Sequence, residues 1–526
     1  MKFACRQLHS CRQKFEELKR SLSVYFCFFA LFVFIQLWDI PVIQAQTVQK
    51  IQIRNAKRLV GSQSKGTKFR KLIGDVILSQ GNVLLYCDSA YDFSTQNYFQ
   101  AFGHVRLMQG DSITITGNRL HYDMKARTAE IEQNVTMSDK KMLLRTSRLF
   151  YDINTGTASF IDGATITETN STLTSKQGFY YSQLKELHFT QAVEIVNKDM
   201  TLNADSLNYN IVNHHAIFIC PTIIKGKKET IYTQGGWYNT TDGTSKFTKK
   251  TRIITETRAI RGDTLYYDEK QGYGLVIGNF ELKDIKEKMN IRGNYGEYFD
   301  KQGRSYVTGR AMFIQYLEND TLYLHADTIR LAKAPGSENT IIRAYHKVKA
   351  FSNDLQIKCD SLVYRSYDSS IYLYNNPVIW SKENQITGIN VRIALRNKKV
   401  DKMYLDDNAM LISKNDTIRF NQVKGRNMIG YFTNSELRSI DVKGNAEAIY
   451  FLKDEKGKFV GTNHIEASSI KIGVSKNKIS SITFLTSPTG NVQPPAITSL
   501  NDIRLKGFLW RKHERPESIE DIFKQP

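Results

Sequence analysis

The strongest feature of the chain is a short pattern of apolar and polar positions that recurs along most of its length. The pattern reads aliphatic, any, small, polar, any, aliphatic, any, aromatic or aliphatic, and clear copies span residues 115–122, 202–209, 260–267 and 357–364. Thirteen copies place the small residue at positions 87, 117, 146, 175, 204, 233, 262, 293, 326, 359, 388, 420 and 467. Most intervals are 29 to 33 residues, which indicates a repeat architecture with one structural unit per copy.

Each copy also contains a second apolar segment, such as residues 128–137 or 274–282. Both segments alternate apolar with polar residues, and this period of two predicts β-strands. Turn residues such as those at 152–156 separate the segments. One copy therefore predicts two strands, and thirteen copies predict about 26 strands.

The apolar positions change parity in the middle of the motif. Leu202 and Ala204 share one parity, whereas Leu207 and Tyr209 have the other. A bulge or bend at Ala204-Asp205 would bring both pairs to the same side of the sheet. The small residue would avoid crowding at this bend, and the Asp side chain would bond nearby backbone amides. The predicted fold is all-β, an elongated stack of antiparallel strands whose apolar interior either closes as a dry core or stays open as a groove.

The N-terminus has the features of an export signal. A basic stretch precedes an apolar run at about 22–38, and Ala45 offers a small residue for cleavage, so we predict a signal peptide over residues 1–45. An uncleaved membrane anchor is the alternative. The net charge of the whole chain is +21. Residues 1–45 hold six basic and three acidic residues, which leaves +18 for the rest. This charge suits phosphorylated glycolipid, acidic polysaccharide or a membrane surface.

Candidate catalytic and metal-binding residues are sparse. The sequence has no phosphate loop, nucleophile elbow, HExxH motif or dinucleotide fingerprint. His214-His215 has no third ligand nearby and is predicted to lie in a turn. Cys87, Cys220 and Cys359 are widely spaced and odd in number, which argues against a disulfide framework or a zinc site. We predict no enzymatic activity, no cofactor and no metal site.

The motif Ala/Gly-Asp-x-Leu-x-Tyr is followed by a Gly-Asn-Val type of turn and strand, as at 81–85, 103–107 and 278–282. This combination resembles the OstA-like family over roughly residues 70–500. The family includes the periplasmic lipopolysaccharide-transport protein and the N-terminal domain of the outer-membrane lipopolysaccharide assembly protein. The resemblance implies a jelly-roll-like, U-folded (β-taco) stack of antiparallel strands with an apolar interior.

The resemblance also implies a function. It predicts a non-enzymatic bridge or chaperone that binds lipopolysaccharide or a similar anionic glycolipid during outer-membrane biogenesis in a Gram-negative envelope. Acyl chains would be shielded in the groove, because each CH₂ avoids water by ~0.8 kcal/mol. The residues expected to line it are Leu120, Tyr122, Leu207, Tyr209, Leu265, Tyr267, Leu362 and Tyr364.

Other lipopolysaccharide-transport proteins are the expected protein partners, docked strand edge to strand edge. No nucleic-acid partner is predicted. The predicted location is the periplasm, with outer-membrane association and peripheral membrane contact left open.

The predicted organisation is a signal peptide (1–45), an N-terminal linker (46–70), a first half of OstA-like repeats (71–260), a second half (261–500) and a C-terminal tail (501–526). The tail is expected either to dock on a partner or to be self-packed or disordered. Two other functions stay open. One is an exported scaffold or adhesin with a closed core. The other is a polysaccharide-cleaving β-helix, which should cluster carboxylates or metal ligands on one face.

Overall fold

The computed structural model describes residues 51–64, 67–334, 336–337, 339–397, 399–433, 436–475, 478–495 and 503–524. The predicted signal peptide lies outside these residues. The repeats belong to one compact unit, Ile53–Pro526. The described residues form antiparallel strands and four 3₁₀ turns without an α-helix, so the predicted all-β class is confirmed. No helix in the described part of the chain has the length and apolar character of a membrane span.

The strands that contain the first six copies of the motif are β1 (Gln52–Asn55), β2 (Arg58–Ser64), β3 (Thr67–Gln80), β4 (Val83–Phe93), β5 (Tyr98–Gln109), β6 (Ile113–Asp123), β7 (Thr128–Asp139), β8 (Met142–Asp152), β9 (Thr157–Phe160), β10 (Ala164–Thr167), β11 (Ser171–Ser175), β12 (Gln177–Tyr181), β13 (Glu186–Asn197), β14 (Met200–Asn210), β15 (His215–Phe218), β16 (Thr222–Gly226), β17 (Glu229–Thr233), β18 (Gly236–Asn239) and β19 (Thr244–Thr255).

The following strands are β20 (Arg258–Asp268), β21 (Tyr273–Asp284), β22 (Met289–Phe299), β23 (Arg304–Thr308), β24 (Met312–Tyr316), β25 (Thr321–His325), β26 (Thr328–Lys333), β27 (Thr340–Phe351), β28 (Gln356–Arg365), β29 (Ser370–Tyr374), β30 (Val378–Ser381), β31 (Asn384–Thr387), β32 (Asn390–Arg396) and β33 (Lys399–Asp406). The last are β34 (Ala409–Lys414), β35 (Phe420–Gly425), β36 (Asn427–Thr433), β37 (Glu436–Lys453), β38 (Phe459–Ser475), β39 (Lys478–Leu485) and β40 (Thr489–Gln493). The 3₁₀ turns are Ser94–Gln96, Asp300–Gln302, Lys512–Glu514 and Glu520–Phe523.

The predicted bend in the motif is confirmed. β13 places two residues, Gln191 and Ala192, opposite the single residue Asp205 of β14. Gln191 and Ala192 both have left-handed backbones, with φ of 66° and 52°. Because the bulge reverses parity, Leu202 and Tyr209 both point inward and are fully buried. The same register shift recurs in β3/β4, β5/β6, β7/β8, β20/β21 and β27/β28.

The small and acidic residues of the motif meet the partner strand at this corner. A Cβ on Gly262 would lie 2.2 Å from Val276 Cγ1, so a larger residue would clash there. The neighbouring Asp263 accepts a hydrogen bond from Asn279 Nδ2 at 2.8 Å. In the early copy, Asp88 lies 2.8 Å from His104 Nδ1. The acid therefore bonds a side chain of the bulged partner strand in these copies, where the sequence predicted backbone amides.

Each bent strand contributes one half to each of two facing sheets. We call the sheet that includes residues 200–204 wall A and the sheet that includes residues 206–210 wall B. Several strands leave the ladder at the corner and are divided there, which is why the structure has more strands than the repeat count predicted. The divided pairs are β9/β10, β11/β12, β15/β16, β17/β18, β23/β24, β25/β26, β29/β30, β31/β32, β33/β34 and β35/β36.

The predicted segment boundaries do not coincide with breaks in the sheet. The segment predicted as a linker, 46–70, contains β1, β2 and the start of β3. The boundary at 260/261 falls inside β20, which pairs with both β19 and β21. The repeats on either side of this boundary are therefore hydrogen-bonded into one continuous ladder.

The predicted tail forms a strap, residues 503–524, across the outer face of wall A. Buried glutamines of the wall hold the strap backbone. Gln422 Nε2 donates to Ile503 O at 2.8 Å. Gln385 Nε2 donates to Leu509 O, and Gln385 Oε1 accepts from Arg511 N, both at 2.7 Å. The tail is thus packed on its own chain.

Apolar side chains of the strap complete this packing. Leu505 joins a buried cluster with Met410, Ile412 and Ile449. Further along, Ile522 packs with two buried residues of β24. Wall A is therefore covered on its outer face over β24 to β37.

Candidate functional site

The eight residues predicted to line a groove all lie on the inner face of wall B, but they differ in burial. Leu120, Tyr122, Leu207, Tyr209, Leu265 and Leu362 are buried, Tyr364 is half-buried, and Tyr267 is 36% exposed. The earlier copies are therefore closed at both positions, and the later copies are accessible at the tyrosine position only. The lipid-lining role of these residues stays a prediction.

A ladder of hydrogen bonds closes the mouth between the walls in the earlier copies. The Tyr at the end of the motif, on wall B, donates its hydroxyl to a polar side chain at the end of a wall A strand. We call each such bond a latch. The four latches are Tyr122–Gln80, Tyr151–Gln109, Tyr180–Asp139 and Tyr209–Glu168.

Secondary contacts reinforce the latches. Gln80 Nε2 also donates to Met124 O at 3.2 Å, so this amide joins the walls twice. Asp139 receives a second hydrogen bond from Lys185 Nζ at 2.7 Å, which places a cation beside a buried carboxylate. Such pairing is what makes burial of a carboxylate tolerable.

The latch tyrosines are held as neutral donors. Burial raises the pKa of Tyr151 to about 12. Burial also raises the pKa of Tyr122, Tyr180 and Tyr209, with the Asp139 carboxylate adding to the effect at Tyr180. The hydroxyls therefore keep their protons, and the latches persist, throughout the neutral range.

The four latches are not followed by a fifth among the described residues, because Asn197, which is matched to the next motif tyrosine Tyr238, donates its Nδ2 to Thr240 O instead. In the four latches the polar partner precedes the tyrosine by 41 or 42 residues. The residue 41 positions before Tyr267 is Gly226, which has no side chain to offer. Tyr267 is 36% exposed, whereas Tyr209 is fully buried. The substitution of glycine for a polar residue thus coincides with the start of the exposed interior.

The exposed interior continues along one row of wall B, in which neighbouring residues are paired across the ladder. Tyr298 in this row is 41% exposed, and the next residues along it are half-buried. We call these residues the rim row: Tyr267, Gly274, Tyr298, Ser305, Leu331, Ile342, Tyr364 and Ile371. Burial returns beyond it, where Ile393 and Met403 are 2% and 3% exposed.

Small side chains in the rim row leave space between the tyrosines. A Cβ on Gly274 would lie 3.8 Å from atoms of both Tyr267 and Tyr298, which is ordinary contact distance. Across the mouth, on wall A, the paired residues Ile253, Ile260 and Leu282 are only half-buried. Inner residues on both wall A and wall B are thus more exposed at this part of the mouth. We call this opening the aperture.

The aperture is apolar and extended. The rim row crosses eight paired strands, and at ~4.8 Å per strand it is roughly 34 Å long. Its side chains are mainly aliphatic and aromatic. Such a surface can bury apolar chains and offers little to bind small polar molecules.

The latch residues were not predicted from the sequence, although a signal for them is present. Gln80, Gln109, Asp139 and Glu168 each stand two residues after an inward aliphatic residue and recur every 29 or 30 positions. Their period equals that of the motif. Without the fold, these residues are indistinguishable from polar turn residues at the ends of strands.

Two other candidate groups remain, and the first adjoins a latch, because His214 Nδ1 lies 3.3 Å from the Tyr209 hydroxyl. His214 is part of a turn, and its Nδ1 lies 3.6 Å from Glu168 Oε2. On β37 and β38, Glu447, His464 and Glu466 bring three potential ligand atoms within 4.8 Å of one another. His464 already pairs with Glu447 at 2.8 Å, so an ion pair accounts for two of the three.

The three cysteines among the described residues are free thiols. Cys87 and Cys359 are both buried and occupy the same slot of the motif. Burial raises the pKa of each to about 12, so neither is a reactive thiolate near neutrality.

Comparison with known proteins gives one family match. Among curated proteins no relative matches the chain. Among solved structures, the chain is similar to LptH, the LptA homologous periplasmic component of the conserved lipopolysaccharide transport device from Pseudomonas aeruginosa. The identity is 11%, the TM-score is 0.13, and the match covers 24% of this chain and 76% of that chain. The model of the OstA-like protein family matches residues 48–205. The resemblance predicted from the repeat is therefore confirmed, and residues 48–205 match the OstA-like family.

Proposed function

We propose that the chain is a non-enzymatic carrier of lipopolysaccharide or a similar anionic glycolipid, with acyl chains held between wall A and wall B. The aperture is the observation that carries the proposal. It exposes an apolar interior along the rim row, whereas a protein with only a structural core would gain by burying Tyr267 and Tyr298. The family match over residues 48–205 supports the same class of role.

The path of the acyl chains follows from the burial pattern. Leu265 and Leu362 lie one motif position deeper than Tyr267 and Tyr364, so chains that pass the rim row meet them next. Leu120, Tyr122, Leu207 and Tyr209 line the interior of the latched copies, and they contact acyl chains only when the latches open. The aperture is thus the proposed site of lipid access.

The setting of the carrier belongs to the same proposal. Export through residues 1–45 would place the chain in the periplasm, and outer-membrane association would follow from its partners. Unpaired edges at the two ends of the strand ladder would dock other transport proteins by adding strands.

Photo-crosslinking in living cells tests the proposal. A photoreactive residue replaces Leu331, Ile342, Leu265 or Leu362 in turn, with outward-facing Asn208 as the control. Crosslinks to lipopolysaccharide are expected from the four inner positions and not from Asn208. Crosslinks to protein alone, or none from a correctly exported and folded protein, would contradict lipid transport.

A closed-core scaffold is the second candidate, and the latched copies favour it for the first part of the chain. The same experiment separates the two at Leu207. Lipid crosslinks from Leu207 as well as Leu331 would mean that the latches open in the cell. Crosslinks from Leu331 alone would confine lipid to the aperture and leave the latched copies as scaffold.

A further inference from the structure

The outer face of wall B changes character behind the aperture. Six residues that are direct neighbours across the ladder form an outer row over β26 to β33: Arg330, Arg343, Val363, Tyr372, Arg392 and Tyr404. Three of the six are arginines and two are tyrosines. At ~4.8 Å per strand the outer row is roughly 24 Å long.

Two of the three arginines of the outer row are paired with rings instead of carboxylates. The Arg392 guanidinium lies 3.9 Å from the centre of the Tyr404 ring, and that of Arg330 lies 5.3 Å from the Tyr345 ring. Among the described residues, none of Arg330, Arg343 and Arg392 forms an ion pair. Asp368 is the acid that contacts the row, where it accepts a hydrogen bond from the Tyr372 hydroxyl at 2.9 Å.

This arrangement of arginines should destabilise the sheet electrostatically. Arg330 and Arg343 face each other directly across β26 and β27, and like charges in this position destabilise a sheet. In the latched copies, by contrast, one outer-face arginine is surrounded by acidic side chains. There Arg148 lies within 4 Å of Glu130, Glu132 and Asp162, so its charge is neutralised. An uncompensated cationic row suits an anionic ligand that supplies the missing charge.

The outer row lies back to back with the rim row. Arg330 and Leu331 are neighbours in sequence, as are Ile342 and Arg343, and neighbours on a strand point to opposite faces. A lipid whose acyl chains cross the rim row would therefore carry its head group out of the mouth within reach of the outer face of wall B. Arginine forks bind phosphate in two-point contacts, and tyrosines add flat rings and hydroxyls for sugars.

We infer that the outer row binds the phosphorylated saccharide head group of the glycolipid whose acyl chains occupy the aperture. This inference rests on the proposed function. The acyl chains would contact the inner face of wall B at the rim row, and the head group would contact its outer face at the outer row. The charge, the rings and the position beside the aperture each fit a sugar phosphate better than an acidic protein surface, which would not need the adjacent opening.

The test separates the two parts of the ligand. The first probe is lipopolysaccharide stripped of its acyl chains, which leaves the phosphorylated saccharide, and its binding is measured by calorimetry. The second probe is a fluorescent fatty acid that reports on the interior. Both are applied to the full chain, to a variant with Arg343→Gln and Arg392→Gln, and to a charge-matched control with Arg119→Gln and Arg145→Gln on exposed positions of the latched copies.

The outer-row variant should bind the saccharide about tenfold more weakly than the parent chain, because two charge-assisted contacts are lost. The control should change by less than about twofold, a screening effect of net charge alone. Fatty-acid binding should be the same in all three proteins, which also reports that they are folded.

The outcomes distinguish failure of this inference from failure of the proposed function. Equal saccharide binding by the outer-row variant and the parent, or no saccharide binding by a parent that binds the fatty acid, would overturn the inference and leave the carrier proposal standing. A parent that binds neither probe would overturn both. An equal loss of saccharide affinity in the variant and the control would show non-specific attraction and would also overturn the inference.

Discussion

Two segments of the molecule are built from the same repeat, but one encloses its interior and the other exposes part of it. In the latched segment, residues 72–218, motif residues such as Leu207 and Tyr209 are 2% exposed or less, and the latches tie wall A to wall B. In the aperture segment, residues 253–371, the positions equivalent to Tyr209 are partly exposed, and Gly226 stands where the latch residue matched to Tyr267 would be. The comparison teaches that the motif specifies the bend, whereas residues outside it decide whether the bent strands enclose a core or a groove.

The largest difference between the segments should appear when charge enters the interior. Leu207→Asp should destabilise the latched segment by about 4 kcal/mol or more, because a carboxylate would be buried without a partner. Leu331→Asp in the rim row should cost less than about 1 kcal/mol, because water can reach it. Hydrogen exchange of the flanking strands measures both. Equal costs at the two positions would show that the aperture is closed in solution.

The second largest effect should come from loosening the strap. The loss of stability should be confined to the later copies. Gln385→Ala with Gln422→Ala removes the hydrogen-bond partners of several strap backbone groups, at about 1–2 kcal/mol for each glutamine. Limited proteolysis should then release residues 503–524. Hydrogen exchange in β5 to β8 serves as the internal control and should not change. If the strap stays protected in the double variant, its other contacts, such as Lys358–Glu514 and Arg515–Gln356, hold it without the two glutamines.

Alkaline pH should weaken the latched segment. The folded pKa of Tyr151 is about 12, against 10.0 for the ordinary side chain. A raised folded pKa gives stability that is fully present below pH 10 and is lost as the pH rises to 12, here roughly 2–3 kcal/mol. Urea unfolding of the parent and of Tyr151→Phe at pH 9 and pH 12 measures this loss. The parent should lose more stability than Tyr151→Phe over this interval, and identical pH dependence would mean that the latch does not bury the hydroxyl.

The smallest effect should come from adding a latch. Gly226→Gln places an amide at the position matched to Tyr267, and its Cβ would overlap Glu229 Oε1, so this flexible carboxylate would have to move. Stability should change by less than about 1 kcal/mol. Uptake of a fluorescent fatty acid should become several-fold slower, with Gly226→Ala as the matched control. Unchanged uptake in Gly226→Gln would show that the aperture does not control access.

The sequence predicted the elements of the fold because they depend on local alternation. The motif period, the strand assignment and the parity change at Ala204-Asp205 all follow from side-chain direction along one strand, and the structure confirms them. The role of the acidic residue was less accessible, since its partner His104 or Asn279 lies on the neighbouring strand. Strand number was underestimated because division at the corner depends on how many residues leave the ladder there.

The candidate site was predicted only in part. Residue type placed Tyr209 and Tyr267 in one class, but their exposure differs because Glu168 and Gly226 stand opposite them. Contacts across the mouth join residues 41 or 42 positions apart on different walls, and no single-strand pattern reveals them. The strap was equally hidden, since Gln385 and Gln422 read as ordinary polar residues until the tail lies against them.

Each latch also connects strands that are not neighbours. Tyr122 belongs to β6 and Gln80 to β3, so one hydrogen bond bridges three strand steps, roughly 14 Å along the ladder. A linear array normally frays by peeling its outermost strand, which breaks contacts with one neighbour only. Here a terminal strand cannot peel without also releasing a strand further inside. The latched copies should consequently come apart in blocks of strands, and a partly unravelled end should be a rare species.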